Sequence, residues 1–257
     1  MRVELIGLGT IARGVRELLQ PADNVELVGA VVAHPEKPRP GCGVRVCNTA
    51  DELLRLEPEV VVELAGHAAL RCWGPSVLRA GIDLLMLSVG VLAEPETERA
   101  VLGAASTGGS QAVVLSGGIG GLDAIASAWV GGLTRVTHTA RKPARTLLPP
   151  EQAVELREPR ELFRGSVREG ALLFPESINV AAAVGLAGIG LDRTVVCVVA
   201  DPAVDRNRHE VLAEGAFGQL RFEIANVPSE GNPKTGKLVA MSVVHALRRR
   251  HATVVFG

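Results

Sequence analysis

The sequence contains no tyrosine, which excludes every mechanism that takes a Tyr hydroxyl as proton donor, reductases built on a Tyr–Lys pair among them. Aromatic residues make up only 3%, too few for the stacking platforms that bind single-stranded nucleic acid. A basic surplus is also missing: 27 Lys and Arg stand against 28 Asp and Glu, with a pI near 6.6. Phosphate-backbone binding is therefore not expected. No apolar run approaches the roughly 20 residues of a membrane span, and "MRVELIGLG" enters a strand at once, without signal-peptide anatomy. The four cysteines, Cys42, Cys47, Cys72 and Cys197, form no C-x-x-C pair, the usage expected of unpaired thiols in a reducing cytoplasm. At 257 residues the chain is long enough for a sizeable core and one or two domains.

What is present alternates. "RVELIG" is an apolar strand, and "TIARGVRELLQ" puts Ile11, Val15, Leu18 and Leu19 on one helical face. "VELVGAVVA", a short strand near 44–46, "EVVVELA", "DLLMLS" and "AVVL" are further strands, with helical segments between them. Continuous apolar strands alternating with helices predict a doubly wound parallel sheet, covered on both faces. After "SGGIGGLDAIASAWVGG" the pattern changes. "LTRVTHTARK" (133–142) alternates as a half-exposed strand, "ESINVAAAVGLAGIG" (176–190) is a small-residue helix, and "TVVCVVA" is again a strand. "HEVLAEGAFGQLRFEIANV" reads as two strands joined at "GAFG", and 232–250 as one amphipathic helix with its arginines at the end its dipole favours. The expectation is an α/β dinucleotide domain over 1–115, with 231–257 packing back on it, and an α+β domain with a mixed sheet over 116–230.

"VELIGLGTIARG" carries Gly7-x-Gly9-x-x-Ala12 between a strand and a helix. Gly7 suits the tight turn, Gly9 lets backbone approach a pyrophosphate, and Ala12 permits close helix–strand packing, while the helix start at Thr10 and Ile11 faces the phosphates. The acidic residue expected after the second strand is missing. That strand runs out as Ala33-His34-Pro35, with Lys37 and Arg39 beyond, so NAD is not enforced and a 2′-phosphate could be met by a basic side chain. A second cluster, "SGGIGG" (116–121), offers close backbone approach. Asn179, in the first turns of its helix, carries an amide that both donates and accepts, as a nicotinamide carboxamide requires.

"IGLGTIARGV", "VVELAGHAAL", "SGGIGGLDAI", "TARKPA", "FPESINVAAAVGLAGIG", "ADPAVDRNRHE" and "NPKTGKLVAMSVVHAL" occur in this order. Together they resemble the L-aspartate dehydrogenase family, whose NAD(P)-dependent members are linked to the quinolinate branch of NAD biosynthesis. The resemblance spans essentially the whole chain. It implies a Rossmann domain, a mixed α/β substrate domain, a homodimer and hand-over to quinolinate synthase. It makes His209 the catalytic residue and Asn179 and the backbone at Gly118 cofactor contacts. Gly66 and His67 lie where a helix begins near the expected nicotinamide, and His34 where the second strand ends. The substrate, L-aspartate, interconverting with oxaloacetate and ammonia through iminoaspartate, is a dicarboxylate and needs cations. Arg141, Lys142 and Lys234 are the candidates. Asp201 and Asp205 could orient the imidazole or fix its loop, and Arg206 is either a carboxylate ligand or a surface charge. His138, His245 and His251 are assigned to surface or strand positions.

An imidazole of ordinary pKa, near 6.5, would exchange protons in the neutral range, so activity is expected to rise through a group of pKa roughly 6–8. Two other readings compete: a reductase of another imine or carbonyl with the two-domain plan of dihydrodipicolinate reductase, and a dinucleotide-binding regulator without turnover. Because no carboxylate ends the second strand, NAD and NADP should both be used, within about a hundredfold in kcat/KM. Steady-state rates with each coenzyme measure this, and a preference for NAD beyond about a thousandfold would overturn the reading of Ala33 and His34.

Overall fold

Apolar runs of the first half pair side by side as strands, with burial most complete in the central ones. The computed structural model describes all residues except 38–42, 176–177 and 256–257, and the side chains of 233 and 234. In chain order come β1 (Arg2–Ile6), α1 (Thr10–Leu18), β2 (Glu26–Val31), β3 (Arg45–Cys47), α2 (Ala50–Leu54), β4 (Val60–Glu63), α3 (His67–Arg79), β5 (Asp83–Met86), α4 (Pro95–Gly108) and β6 (Ala112–Val114). All six strands are parallel, in the order β3-β2-β1-β4-β5-β6. The winding reverses between β1 and β4, which is where such sheets bind ligands at their carboxyl ends. The doubly wound parallel sheet expected from the alternation is the observed one.

The chain divides into two compact units, one of residues 1–117 with 239–257 and one of 118–238. The last helix (Leu238–Arg249) completes the first core. Its Ala240, Val243, Val244 and Leu247 cluster with Val3, Leu5 and Ala12 and Val15 of α1. Gly14 lets the two helices approach, since a Cβ there would lie 3.0 Å from that of Ala240. Arg248 clamps the helix to Asp23 through bonds of 2.7 and 2.9 Å. Among the described residues no helix is long and apolar enough to cross a membrane.

The second unit contains α5 (Leu122–Val130), β7 (Leu133–Pro143), α6 (Ala144–Leu147), α7 (Pro150–Glu155), β8 (Arg160–Ser166), α8 (Val167–Leu173), α9 (Asn179–Ala187), β9 (Val195–Asp201), β10 (Arg208–Gly215), β11 (Gly218–Ala225), β12 (Pro228–Ser229) and β13 (Asn232–Gly236). Its five-stranded sheet runs β11-β10-β7-β9-β8. β7 and β9 are parallel and the other neighbours antiparallel. One face is sealed by α5 and α9, with Val136, Val211 and Ala213 of the sheet packed on Ile125, Ala128 and Val184.

Two corrections follow. Residues 232–250, expected as one helix, divide: β12 and β13 form a small antiparallel ladder, and the helix begins only at Leu238. Gly236 is why, because a Cβ there would stand 2.8 Å from the Asn226 amide oxygen, so that backbone lies flat on Asn226. The stretch 144–173, for which no elements were expected, holds edge strand β8 and three short helices.

One core position is anomalous. Glu4, in the middle of β1, is fully buried, and among the described residues neither carboxyl oxygen has a hydrogen-bond partner. Gly29, its neighbour on β2, makes the room, since a Cβ there would come within 2.9 Å of Glu4 Oε1. Burial pushes the Glu4 pKa up to about 8, against the pull of the Cys47 thiol and Arg45, and burial together with Glu4 pushes Cys47 to about 11. An unfolded chain releases the Glu4 proton near pH 4.5 while the folded chain keeps it to about 8. Across that window the folded state holds the extra proton, so this group makes stability fall as pH rises. Glu4→Gln should keep the packing and abolish that slope. Denaturant midpoints from pH 5 to 9 measure it, and parallel profiles for the two proteins would refute it.

Candidate active site

The glycine loop between β1 and α1 is built as its spacing predicts. Gly7 sits at φ +102°, and a Cβ there would meet that of Ala65 at 2.7 Å; both backbone and space require glycine. Gly9 differs: a Cβ on it would meet no protein atom within 4 Å. The fold therefore does not require glycine at 9, and its bare backbone is open to close approach by a ligand. Gly9 is also the N-cap of α1 and makes no side-chain cap bond, leaving first-turn N–H groups for an anion. A cleft of about 580 Å³ opens here, walled by Gly7–Gly9, by Val32–His34 after β2, and by residues after β4 and on α3 including Cys72 and Trp73. These features fit a dinucleotide. His34 lies on the wall and is paired to Glu36 at 3.3 Å; Arg39 lies outside the described residues.

A carboxylate that was not singled out from the sequence shapes this edge. Glu63, the last residue of β4, is fully buried. Its Oε1 accepts from the backbone N–H of Ala65 (2.7 Å) and Gly66 (2.8 Å) and from Ser88 Oγ (2.9 Å), and its Oε2 from Ser88 N–H (2.9 Å). Four donors satisfy the buried charge and fix the loops after β4 and β5. Gly66, at φ +103°, then caps α3, whose first residue is His67. The signal was a lone acid ending the apolar run "VVVEL".

In the second unit His209 is the second residue of β10, opposite Ala140 of β7, and only 7% exposed. It lies on the buried face of the sheet. Its Nδ1 is 3.1 Å from Nε2 of His138, with ring centroids 5.3 Å apart and planes 15° from parallel. His138, assigned to a surface or strand position, is on strand β7 but has no exposed surface. Burial first, and then the charge of Lys142, push His209 down to about 4. The same burial, with His209 and Lys142, holds His138 well below the usual imidazole range. Both rings are neutral at physiological pH, which corrects the expected pKa of 6–8.

Strand alternation sorts the remaining candidates. His138, Ala140 and Lys142 share one face of β7, and His209 and Val211 stand on the same face of β10. Arg141 projects from the opposite face, where its Nη1 donates to Asp201 Oδ2 at 2.9 Å. The structure thus brings Lys142 to His209 and takes Arg141 away. Asp201 orients no imidazole: it binds Arg141 and, through Oδ1, the N–H of Ala203. Asp205 and Arg206 pair with each other on the surface. Asn179 opens α9, and the carbonyl of Gly118 accepts from buried Asn226 at 2.8 Å, a second residue that was not anticipated. The side chain of Lys234 lies outside the described residues.

A family model described as "Aspartate dehydrogenase, C-terminal" matches residues 123–250, and one described as "Homoserine dehydrogenase, NAD binding domain" matches 7–115. The L-aspartate dehydrogenase of Cupriavidus necator is 42% identical over 99% of this chain and 100% of its own length. This chain belongs to the L-aspartate dehydrogenase family. Another member, from Pseudomonas aeruginosa, is 38% identical over 96% of each chain. The crystal structure of aspartate dehydrogenase from Thermotoga maritima superposes with a TM-score of 0.83 at 27% identity, covering 100% of this chain and 99% of that one. Dihydrodipicolinate reductase from Paenisporosarcina sp. covers 96% of this chain and 94% of its own at 13% identity with a TM-score of 0.53, a likeness of fold alone.

For this member of the aspartate dehydrogenase family the role of Glu63 is testable. Glu63→Gln replaces an acceptor oxygen by a donor facing a donor, loosening the loops at Gly66 and Ser88. The cofactor dissociation constant should rise about tenfold, about 1.4 kcal/mol, with the Michaelis constant for aspartate little changed. Titration of Trp73 fluorescence in the cleft measures it; an unaltered cofactor constant would show that the loops hold without the charge.

Proposed function

We propose that this chain catalyses the NAD(P)-dependent oxidative deamination of L-aspartate to iminoaspartate, and so to oxaloacetate and ammonia, reversibly. The observation that carries the reading is His209, a neutral imidazole on the same sheet face as Lys142 of the neighbouring strand, in a chain that matches L-aspartate dehydrogenases over 99% of its length. When bound, NAD or NADP supplies a hydride acceptor for the α-carbon of aspartate. Gly7, Gly9, Thr10, Ile11, Ala12, His34, Gly66 and His67 are the proposed cofactor contacts of the first unit, and Gly118 and Asn179 those of the second. On this reading residues 1–115 and the last helix form the dinucleotide domain.

His209 takes a proton from the α-ammonium group and releases it to solvent, then takes one from the water that adds to the imine and gives it to the nitrogen that leaves as ammonia. Lys142 holds a substrate carboxylate as a point charge, and Lys234 is the proposed holder of the other. Arg141 fixes the strand end through Asp201. Homodimerisation through the second unit, a cytoplasmic location and hand-over of product to quinolinate synthase complete the proposal, and the family resemblance supports them.

Mixing protein, aspartate and either coenzyme and following absorbance of the reduced coenzyme tests the activity; reduction supported by another amine and not by aspartate would refute it. His209→Asn suits the base better than alanine, because a buried ring leaves a cavity when truncated. Its kcat should fall by about 10²–10⁴-fold, with cofactor affinity within about threefold of wild type. A base acts only when neutral, that is above its pKa. With His209 at about 4 in the free protein, the acid limb of kcat/KM should lie near 4, not near 6.5. The carboxylates of bound aspartate favour the imidazolium, so the limb of kcat should lie higher. A His209→Asn enzyme of near-wild-type activity would move the base elsewhere.

A further inference from the structure

His138 has no exposed surface, and two neutral imidazoles facing each other nitrogen to nitrogen at 3.1 Å share one proton between them. Two arrangements satisfy the contact. In one, His138 Nε2–H donates to His209 Nδ1; then the proton of His209 is on Nε2, and that nitrogen cannot accept another. In the other, His209 Nδ1–H donates to His138 Nε2, leaving the lone pair on His209 Nε2. Only the second makes His209 a base. We propose that His138 is the positioning residue of the site, a neutral imidazole that accepts the Nδ1–H of His209 and so keeps His209 Nε2 as the free basic nitrogen.

This rests on the reading of His209 as the base. The geometry places the two rings for the contact, and the role of His209 as base selects the arrangement. The residues stand diagonally across the β7–β10 ladder, His209 opposite Ala140 and His138 opposite Val211, so their rings lie side by side and nearly parallel. Sheet and helices wall in His138, whose only side-chain hydrogen bond among the described residues is that to His209; with Nε2 accepting, its own proton sits on Nδ1, which has no partner there. When His209 Nε2 takes a proton from the α-ammonium group of aspartate, a new N–H bond forms there, the substrate N–H bond breaks, and the Nδ1 proton stays where it was. His138 has no exposed surface while His209 keeps 7%, and burial disfavours the charged form of a ring, so the positive charge remains on His209. A carboxylate in the place of His138 would stabilise that charge more strongly; a neutral acceptor orients the ring while leaving it easy to deprotonate.

Three measurements test this. In ¹⁵N-histidine-labelled wild type, the nitrogen shifts should show His209 protonated at Nδ1 and bare at Nε2; protonation at Nε2 would overturn the proposal. His138→Phe fills the site but offers no acceptor, so His209 should revert toward Nε2–H and kcat should fall about 10²-fold, with cofactor affinity within about twofold. His138→Gln, whose amide oxygen reaches the place of Nε2 and accepts, should recover all but roughly fivefold of the rate. Equal kcat for the Phe and Gln variants would refute the positioning role. His209→Asn separates the two readings: if it is inactive while His138→Phe is not, only the role of His138 fails, and if it is active the base itself is misassigned.

Discussion

Side chains on a strand alternate between two faces, and in the second unit that constraint decides which chemistry can occur. β7 carries His138, Ala140 and Lys142 to the helix-covered face and Arg141 to the other. A buried imidazole lies within the field of a half-buried Lys142, while the guanidinium is spent on Asp201. Desolvation then does the electrostatic work. A charged imidazole on the covered face would lack water and stand beside another cation, so His209 stays neutral far below its solution pKa.

The first unit meets the cost of burial differently. Glu63 is as buried as Glu4, yet Glu63 has four donors and serves as an anchor, whereas Glu4 has none and is driven toward its neutral form. Partners, not depth, separate a structural anion from a titrating one. The glycines divide in the same way. Gly7 answers to Ala65 and to its own backbone angle, whereas a Cβ on Gly9 would meet nothing among the described residues, so the fold dictates glycine at the first position only.

The parallel sheet, the mixed sheet and the glycine loop were legible because each rests on local pattern: apolar runs, alternation, and glycines between strand and helix. The pairing of His138 with His209 was not, although half of it was present. "LTRVTHTARK" already puts His138 with Val136 and Ala140 on the apolar parity and Arg141 on the other. What the sequence lacks is the register, which residue of β10 stands beside which of β7, since that is set by packing between residues 71 positions apart in the chain. Glu63 and Asn226 escaped for a similar reason: their partners are backbone groups of loops, and backbone groups carry no mark in the sequence. "NPKTGKLVAMSVV" misled because its second half is helical and its first half is held flat by Asn226.

The last helix belongs to the core that the first strands begin, with the whole second unit threaded between them. On the ribosome, Val3, Leu5 and Val15 emerge long before Val243, Val244 and Leu247, which cover them. The doubly wound sheet must therefore wait, with one apolar flank uncovered, until the second unit has been synthesised. Domains that fold as units normally do so in order of emergence; here the first to appear is the last to be completed, and the second unit has time to fold first.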